Sequence, residues 1–390
     1  MKNIHVVIVT GQAQANLIPI LQLKPDAVAL VVSDDMKQNA DGFKALLNRL
    51  KPNLLIQCFE DVPSIGLPRI KEKAMAIYQT LKTDYPDSVI TYHATGGNKL
   101  MMLGFHSVFA KDTNVVIYNH TDHGEIEILY PENTPSLPVE HLLNAKNYLQ
   151  SLGFNLRNSS EVNPSWTKPV KEREELTYWL ANNADLLNNF FGELNGLIDS
   201  AMDTYKRRLI NPEQRLKSLP SGMIETALEK LNEFGICVWS IENPKKVYFK
   251  SISKANYLSG GWLEEYVWLV ADNLGMNEVR ANVRFSPLTT STVENEMDAI
   301  IVHNNRLLAI ECKTASLERD TRNTNNILYK LEALSKIGGL YHTEWLVSAR
   351  PIPADTQTRA DNSKPKIKII SPAQLKNLKS ELEVWRDAKH

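Results

Sequence analysis

Short apolar runs alternate with longer amphipathic segments along the first 130 residues of the chain. Six apolar runs are predicted to be strands: Ile4–Val9, Ala27–Val32, Leu54–Cys58, Val89–His93, Val115–Tyr118 and Ile126–Leu129. Four segments between them are predicted to be helices: Asn16–Gln22, Ala40–Leu50, Ile70–Asp84 and Lys99–Ala110. Near-continuous apolar strands separated by helices are typical of a parallel, doubly wound sheet. The last two strands are predicted to form an antiparallel hairpin at one edge of that sheet.

The pattern of apolar and polar residues changes twice after residue 130. Residues 131–165 are rich in Pro, Asn and Ser and are predicted to be a connector with one short helix. Amphipathic helices are predicted from Val170 to about Glu233, followed by a hairpin over residues 234–250. Five elements are then predicted in this order: a helix at Trp262–Val270, a strand near Glu278–Arg284, a central hairpin, a helix around Asn326–Ile337 and a strand at Glu344–Ser348.

The central hairpin has an unusually clear pattern. Two strand-forming runs, Met297–Val302 and Leu307–Cys312, flank a short polar tetrad. Asn304 and Asn305 stand at its centre, and Asn is compatible with the positive φ that a two-residue type I′ turn requires. The sequence therefore predicts both the hairpin and its register.

Three charged residues converge on one face of this hairpin. The predicted register places Asp298 directly across from Glu311, and Lys313 projects from the same face because side chains alternate along a strand. On a buried face, each charged group without a compensating partner would lower the stability of the fold by several kcal/mol. A divalent cation held by Asp298 and Glu311 would remove the conflict and leave Lys313 for a water or a phosphate oxygen. The alternative is an exposed hairpin whose polar face happens to carry these charges.

Two loops of the first region carry candidate ligand-binding groups. Thr10–Asn16 follows the first predicted strand, and Thr95–Lys99 follows the fourth and directly precedes an apolar helix. Ligands of doubly wound sheets bind at the carboxyl ends of the strands. The adjacent glycines of the second loop let backbone N–H groups approach an anion at the helix N-terminus. The alternative is that Thr95–Asn98 is only a tight turn and helix cap.

Composition narrows the class of protein. The 390 residues are 43% hydrophobic and 23% charged, with a net charge of −1, which predicts two or three soluble domains and argues against a large non-specific nucleic-acid surface. No apolar run is long enough to predict a transmembrane helix, and the N-terminus lacks a signal-peptide pattern. The three cysteines are widely separated, which fits a cytoplasmic protein without disulfides or a zinc site.

Taken together, the Rossmann-like pattern, the Thr-Gly-Gly-Asn-Lys loop and the nuclease-like hairpin resemble the CRISPR ancillary nucleases that join a CARF domain to a PD-(D/E)xK nuclease domain. The resemblance extends over the whole chain and implies an α/β protein of three parts. These are an N-terminal Rossmann-like CARF domain at 1–140, a connector and helical or winged-helix-like bridge at 141–252, and a PD-(D/E)xK restriction-endonuclease-like domain at 253–390.

The resemblance also implies an activator. CARF domains bind cyclic oligoadenylates made by type III CRISPR complexes, and relatives of this architecture respond to cyclic tetra-adenylate. The ligand-binding residues that it implies are Thr10, Gly11, Gln12, Asn16, Thr95, Gly96, Gly97, Asn98 and Lys99. A ligand with two-fold symmetry suggests a homodimer in which each subunit offers the same loops.

For the C-terminal region the resemblance implies metal-dependent hydrolysis of DNA and/or RNA, with Mg²⁺ or Mn²⁺ held by Asp298 and Glu311. In such nucleases a helix commonly adds a Glu, and the Leu-Glu-x-x-Val pattern selects Glu264 over Glu265. The alternative for both glutamates is favourable placement in the first turn of a helix. Some relatives carry Gln-x-x-x-Tyr after the Lys; only Asn325 and Tyr329 have that spacing here, and their roles stay open.

Two other functions remain open at this point. The protein could be a nucleic-acid-binding regulator, with a CARF domain, a winged helix and an inactive nuclease domain. It could instead be a constitutive restriction-type nuclease whose N-terminal domain is only a scaffold. The bridge itself has two interpretations, a structural spacer or a module whose Lys245, Lys246 and Lys250 contact a phosphate backbone, and no basic run indicates a DNA-reading helix.

Overall fold

A computed structural model describes residues 2–120, 123–203, 208–290, 292–317, 328–329, 331–332 and 342–388. The first unit is a seven-stranded sheet with the order β3-β2-β1-β4-β5-β6-β7. Its strands are β1 (Asn3–Ile8), β2 (Ala27–Val31), β3 (Leu55–Phe59), β4 (Val89–His93), β5 (Val115–His120), β6 (Glu125–Tyr130) and β7 (Leu137–Pro138). The first five strands are parallel, whereas β6 and β7 are antiparallel. The predicted parallel sheet with an edge hairpin is confirmed, and β7 extends that edge.

Helices cover both faces of this sheet. They are α1 (Ala13–Leu23), α2 (Lys37–Leu50), α3 (Leu67–Asp84) and α4 (Lys99–Phe109). Neighbouring residues of β1 enter different cores, since Val7 packs with α1 and α2 and Ile8 packs with α3 and α4. The strand order reverses between β1 and β4, so the loops after these two strands meet at the topological switch point.

The segment after the first sheet does more than connect. It contains α5 (Ala145–Ser151), the strand β8 (Phe154–Asn158) and α6 (Pro164–Glu172). β8 is an edge strand of the second large sheet. The prediction of a plain connector over residues 131–165 is therefore wrong for Phe154–Asn158, which complete a sheet whose other strands all lie beyond residue 277.

The bridge combines helices with a small sheet. Its elements are α7 (Glu174–Asn182), α8 (Ala184–Ala201), β9 (Met202–Asp203), β10 (Arg208–Leu209), β11 (Glu213–Arg215), α9 (Met223–Glu233), β12 (Cys237–Val238), β13 (Lys246–Phe249) and α10 (Ile252–Asn256). β12 and β13 are antiparallel, which confirms the predicted hairpin, and β11 pairs with the other side of β13. The helices of the bridge share one core with the second large sheet, so the bridge has no separate core.

The second large sheet has the order β18-β17-β16-β15-β14-β8. The remaining elements are α11 (Trp262–Asp272), β14 (Glu278–Pro287), β15 (Asn295–His303), β16 (Arg306–Lys313), β17 (His342–Ser348), α12 (Ala354–Asn362), β18 (Lys368–Ile370) and α13 (Leu378–Asp387). The predicted helix, strands and hairpin of this region are confirmed. The helix predicted around Asn326–Ile337 lies mostly outside the described residues. Among the described helices, none is long and apolar enough to cross a membrane.

The two large sheets are joined by a shared apolar core and by hydrogen bonds. Leu17 of α1, Tyr148 of α5 and Phe285 of β14 belong to one buried cluster. Asn305, at the turn between β15 and β16, donates to the Glu140 carbonyl oxygen and accepts from two backbone N–H groups of the connector. The hairpin that carries the candidate catalytic residues is thus fastened at its turn to the connector.

Candidate active site and ligand loops

The β15–β16 hairpin has the predicted turn and register. Asn304 and Asn305 have φ values of 52° and 60°, as a type I′ turn requires. Opposed pairs run from His303–Arg306 at the turn to Ala299–Ile310. Because both turn residues are Asn, the left-handed backbone is reached at little steric cost.

The two strands separate just beyond the Ala299–Ile310 pair. There the Asp298 carboxylate accepts a hydrogen bond from the backbone N–H of Cys312 at 2.6 Å. Glu311 is buried, and its Oε1 lies 2.8 Å from the Lys313 ammonium group. Asp298, Glu311 and Lys313 are therefore gathered at the open end of the hairpin, although the paired register ends before Asp298 and Glu311. Cys312 is buried in the core that the second large sheet shares with α11.

Glu264, on α11, interacts electrostatically with the same charged groups. Burial, with a further contribution from the negative charge of Asp298, raises the pKa of Glu264 to about 8. Although burial opposes it, the carboxylates of Glu311 and Asp298 raise the pKa of Lys313, which stays charged. Three carboxyl groups thus face one ammonium group. A bound cation would relieve this excess of negative charge.

The neighbouring glutamate has a different environment. Glu265 is 3% exposed and forms a two-pronged ion pair with the Arg173 guanidinium group. That guanidinium lies 4.3 Å from the ring centre of Tyr257. Glu265 therefore fastens α11 to α7 and the bridge, whereas Glu264 is the glutamate that interacts with Asp298 and Lys313. This difference supports Glu264 over Glu265 as the site residue, which stays a prediction.

A cleft of about 880 Å³ is lined by Glu264 and Lys313 of the charged group, together with Glu265. Along one wall the chain enters α11 through a kink at Gly260, whose backbone is not helical. Gly260 and Gly261 add no side chains to this wall. Six of the residues that line the cleft are Trp166, Arg173, Gly260, Glu264, Asn282 and Lys313. Asn282 and Arg173 were not predicted; an Asn within a strand-forming run was the one available cue for Asn282.

The donor set suits a hard divalent cation. Mg²⁺ is usually held by one or two carboxylates plus water and substrate phosphate oxygens, and Asp298 and Glu311 supply two carboxylates at the open end of the hairpin. In the part of the chain that the structure describes, no three His, Cys, Asp or Glu side chains are arranged as a complete metal site. The residues therefore fit a cation that substrate or water helps to coordinate, and they do not fit a closed structural site.

The two ligand loops meet at the end of β1. Asn16 is 1% exposed, and its side-chain amide donates to the Ile8 carbonyl oxygen at 2.9 Å. A Cβ at residue 96 would lie 2.3 Å from that same oxygen and 3.2 Å from the Asn16 amide nitrogen. Gly96 is thus the residue that lets the second loop pack on the first. Gly97 has a φ of 82°, which also favours glycine.

Other polar groups of the second loop hold the loop itself. The Thr95 hydroxyl accepts from the Asn119 backbone N–H at 2.8 Å. Asn98 caps α4 by accepting from the N–H groups of Leu100 and Met101, and its amide nitrogen donates to the Ser64 carbonyl oxygen. The cap that was considered as an alternative is therefore present. The stretch from Gly97 to Lys99 is exposed beside the N-terminus of α4.

The residues of the first loop lie in two different environments. Thr10 and Gln12 form a local turn through the Thr10 hydroxyl group. Thr10 and Gly11 line a cavity of about 430 Å³ together with residues of α2, the end of α5 and Leu288 at the end of β14. The structure thus places Asn16 against the second loop, and it places Thr10 and Gly11 at a cavity between the two large sheets.

Of the Gln-x-x-x-Tyr positions, Asn325 lies outside the described residues and Tyr329 is 61% exposed.

Family models match both ends of the chain. Residues 4–148 match the Card1 CARF domain, and residues 252–389 match the endonuclease domain described as Card1-like. The first match covers the seven-stranded sheet, and the second covers the cleft-lining α11 and the β15–β16 hairpin. No curated protein sequence gives a match to this chain.

Solved structures share the fold over nearly the whole chain. Protein VC1899 from Vibrio cholerae is 23% identical, with a TM-score of 0.81 over 99% of this chain and 98% of its own. Can2 from Sulfobacillus thermosulfidooxidans, in complex with cyclic tetra-adenylate, is 20% identical, with a TM-score of 0.75 over 97% and 96%. A type III CRISPR defence DNA nuclease activated by cyclic oligoadenylate is 13% identical, with a TM-score of 0.53 over 95% of this chain and 48% of its own.

Proposed function

The chain belongs to the CRISPR ancillary proteins that join a CARF domain to a nuclease domain, and we propose that it is a metal-dependent endonuclease activated by cyclic tetra-adenylate in type III CRISPR antiviral defence. Its substrate would be DNA and/or RNA. The observation that carries the proposal is the convergence of Asp298 and Glu311 with Glu264 and Lys313, which line an open cleft, in a chain that also contains a CARF domain.

Each residue would have a distinct role at the cleft. Asp298 and Glu311 would hold Mg²⁺ or Mn²⁺, and Glu264 would complete the site directly or through water. When bound, the cation supplies positive charge beside the attacked phosphate and favours deprotonation of water. The Lys313 ammonium, which its acidic neighbours keep protonated, would orient that water and donate a hydrogen bond to the oxygen on which negative charge develops.

The ligand loops would hold the activator. The N-terminus of α4 offers a favourable place for a phosphate, and the exposed Gly97–Lys99 stretch stands beside it. Gly96 and Asn16 would fix the shape of this loop, while Thr10, Gly11 and Gln12 would complete the site from the other side. The structure of Can2 with cyclic tetra-adenylate, which shares this fold, supports this choice of ligand.

We further propose that the active form is a two-fold dimer. Leu100 and Leu103 of α4 are 41% and 51% exposed, directly beyond the ligand loop. A pair of such apolar faces would place two copies of the loop beside one symmetric cyclic ligand. Ligand binding would then favour one arrangement of the paired nuclease domains over another.

One assay tests the proposal. Cyclic tetra-adenylate is titrated against cleavage of single- and double-stranded DNA and RNA, with Mg²⁺, with Mn²⁺ and with a chelator. Cleavage that requires both the activator and the cation, and that is lost in Asp298→Ala and in Lys313→Ala with folding kept, is the expected result. Full activity without the activator would indicate a constitutive nuclease, and binding of nucleic acid without cleavage would indicate a regulator.

A further inference from the structure

Asn282 has an unusual backbone in the middle of a strand beside the cleft. Its φ is +49°, although β14 is extended on both sides. On this strand Ala281 is opposite Ala299 and Val283 is opposite Met297, so Asn282 stands between them at the level of Asp298. Non-glycine residues in this conformation are uncommon, and they occur preferentially at functional sites.

Both strands change face at this level. Ala281 packs with α11, whereas Val283 packs in the core shared with the first sheet. On β15, Ala299 packs in the core of the bridge and α11, whereas Met297 packs in the shared core. Residues two apart share a face in a regular strand. The irregularity therefore affects both strands where Asn282 and Asp298 meet, and it directs Asn282 into the lining of the cleft.

The side chain of Asn282 is held at one end only. Its amide nitrogen donates to the Ser160 hydroxyl at 3.1 Å, in a segment that also bonds to the backbone of Ala281. Its amide oxygen is buried and has no hydrogen-bond partner among the described residues. A buried polar atom without a partner is costly, and a water or an ion is one of its ordinary explanations.

We propose that Asn282 is a further metal-binding residue of the nuclease centre. Its amide oxygen coordinates the divalent cation directly or through a water molecule that it orients. The inference rests on the proposed function. It accounts for three observations together: the left-handed backbone, the change of face opposite Asp298, and the buried, unpartnered oxygen of a residue that lines the cleft. An amide oxygen is a hard donor of the kind that Mg²⁺ and Mn²⁺ accept.

The test compares Asn282→Gly with Asn282→Asp in the full-length protein. Gly tolerates the positive φ, so the first variant removes the oxygen without straining the backbone. Asp keeps an oxygen in the same position and adds a charge. Asn304→Gly is the matched control. Asn304 also has a left-handed backbone, but it is exposed at the turn between β15 and β16. Mn²⁺ binding is measured by calorimetry, and the unfolding midpoint is measured with and without Mn²⁺.

Asn282→Gly is expected to weaken Mn²⁺ binding roughly 10- to 100-fold, as loss of an orienting or liganding group commonly does. Its unfolding midpoint without metal should fall slightly at most, because the hydrogen bond to Ser160 and the unpartnered buried oxygen are removed together. Asn282→Asp should bind Mn²⁺ more tightly than the wild type, and Asn304→Gly should bind it equally well. Wild-type Mn²⁺ affinity in Asn282→Gly, or equal weakening in both Asn282 variants, would overturn the proposal.

Two further outcomes separate this inference from the function on which it rests. If Asn282→Gly does not fold, the Asp variant decides, and unchanged Mn²⁺ affinity in that variant overturns the inference. If the wild type binds and cleaves as proposed while both Asn282 variants match it, only the role of Asn282 fails. If the wild type binds no Mn²⁺ at all, the proposed function fails as well.

Discussion

The loop before α4 and the open end of the β15–β16 hairpin differ in how their polar groups are paired. In the loop, polar side chains form hydrogen bonds to the backbone of the first unit. At the open end of the hairpin, three carboxyl groups face one ammonium group. Asn98 illustrates the first condition, since both ends of its amide are used in holding the loop. Glu264 illustrates the second, since burial and Asp298 raise its pKa to about 8. The loop is shaped before any ligand arrives, whereas the cleft keeps an electrostatic conflict that a cation would resolve. Substitutions should therefore change stability in opposite directions at the two places.

The largest expected effect is that of Asp298→Asn. Cleavage should fall about 10²- to 10³-fold, as when a charge-stabilising group is removed from an active site. The unfolding midpoint without metal should rise, because one negative charge beside Glu264 is gone while an oxygen still accepts from Cys312. Cleavage rates and thermal unfolding in chelator measure the two effects. Glu294→Gln, an exposed change just before β15, is the control; wild-type cleavage by Asp298→Asn would contradict the assigned role.

Gly96→Ala should impair the loop and spare the cleft. The new Cβ would lie 2.3 Å from the Ile8 carbonyl oxygen, and relief of such overpacking costs about 1–3 kcal/mol. Affinity for cyclic tetra-adenylate should fall about 10-fold or more at that cost, whereas Mn²⁺ binding should stay unchanged. Calorimetric titration measures both. Gly196→Ala is the control, because Gly196 lies in α8 of the bridge and nothing lies within 4 Å of its Cβ. Equal activator affinity in Gly96→Ala and wild type would refute the packing argument.

Asn98 separates the cap from the ligand contact. Asn98→Ala should lower the free energy of unfolding by about 1 kcal/mol through loss of the helix cap. Asn98→Asp should keep the helix cap, because Asp caps equally well, but it should lose the hydrogen bond to the Ser64 carbonyl oxygen. It should also bind the anionic activator more weakly through charge repulsion. Urea unfolding and activator titration measure the two quantities. If Asn98→Asp binds the activator as tightly as the wild type, the loop is a turn and cap only.

The last prediction concerns the dependence of stability on pH. The pKa of Glu264 is about 8 in the folded protein and about 4.3 in an unfolded chain, so the folded state binds more protons between these values. Its contribution to stability should therefore fall as the pH rises from about 5 to about 8 in the absence of metal. Urea unfolding of wild type and Glu264→Gln across this range measures it. Parallel curves for the two proteins would show that Glu264 does not titrate there.

Much of the fold followed from local pattern. The five parallel strands, the edge hairpin and the order of elements around the central hairpin were predicted, because alternation and apolar runs are properties of neighbouring residues. The short strands β7, β11 and β18 were not, since a few residues carry no readable periodicity. β8 was assigned to a connector because its partner strand, β14, lies more than a hundred residues away along the chain.

The candidate site was predicted in part. Asp298, Glu311 and Lys313 were named from a turn and a register, and the structure gathers them at the open end of the hairpin, just beyond the last paired residues. Glu264 needed a family resemblance in addition, because an acidic residue in the first turn of a helix has its own electrostatic reason. Asn282 and Arg173 were missed, since a strand position or a basic residue has no special pattern until its partners are known.

The sequence by itself determined the hairpin, its turn at Asn304-Asn305 and the three charges at its open end, because each depends on residues close together in the chain. Only the tertiary structure decided that Glu265 pairs with Arg173, 92 residues away, and thereby leaves Glu264 to face Asp298. It alone decided that Gly96 packs on the Ile8 carbonyl oxygen. These features depend on which distant segments meet, and the free energy of such contacts comes from burial and charge pairing that no local pattern encodes.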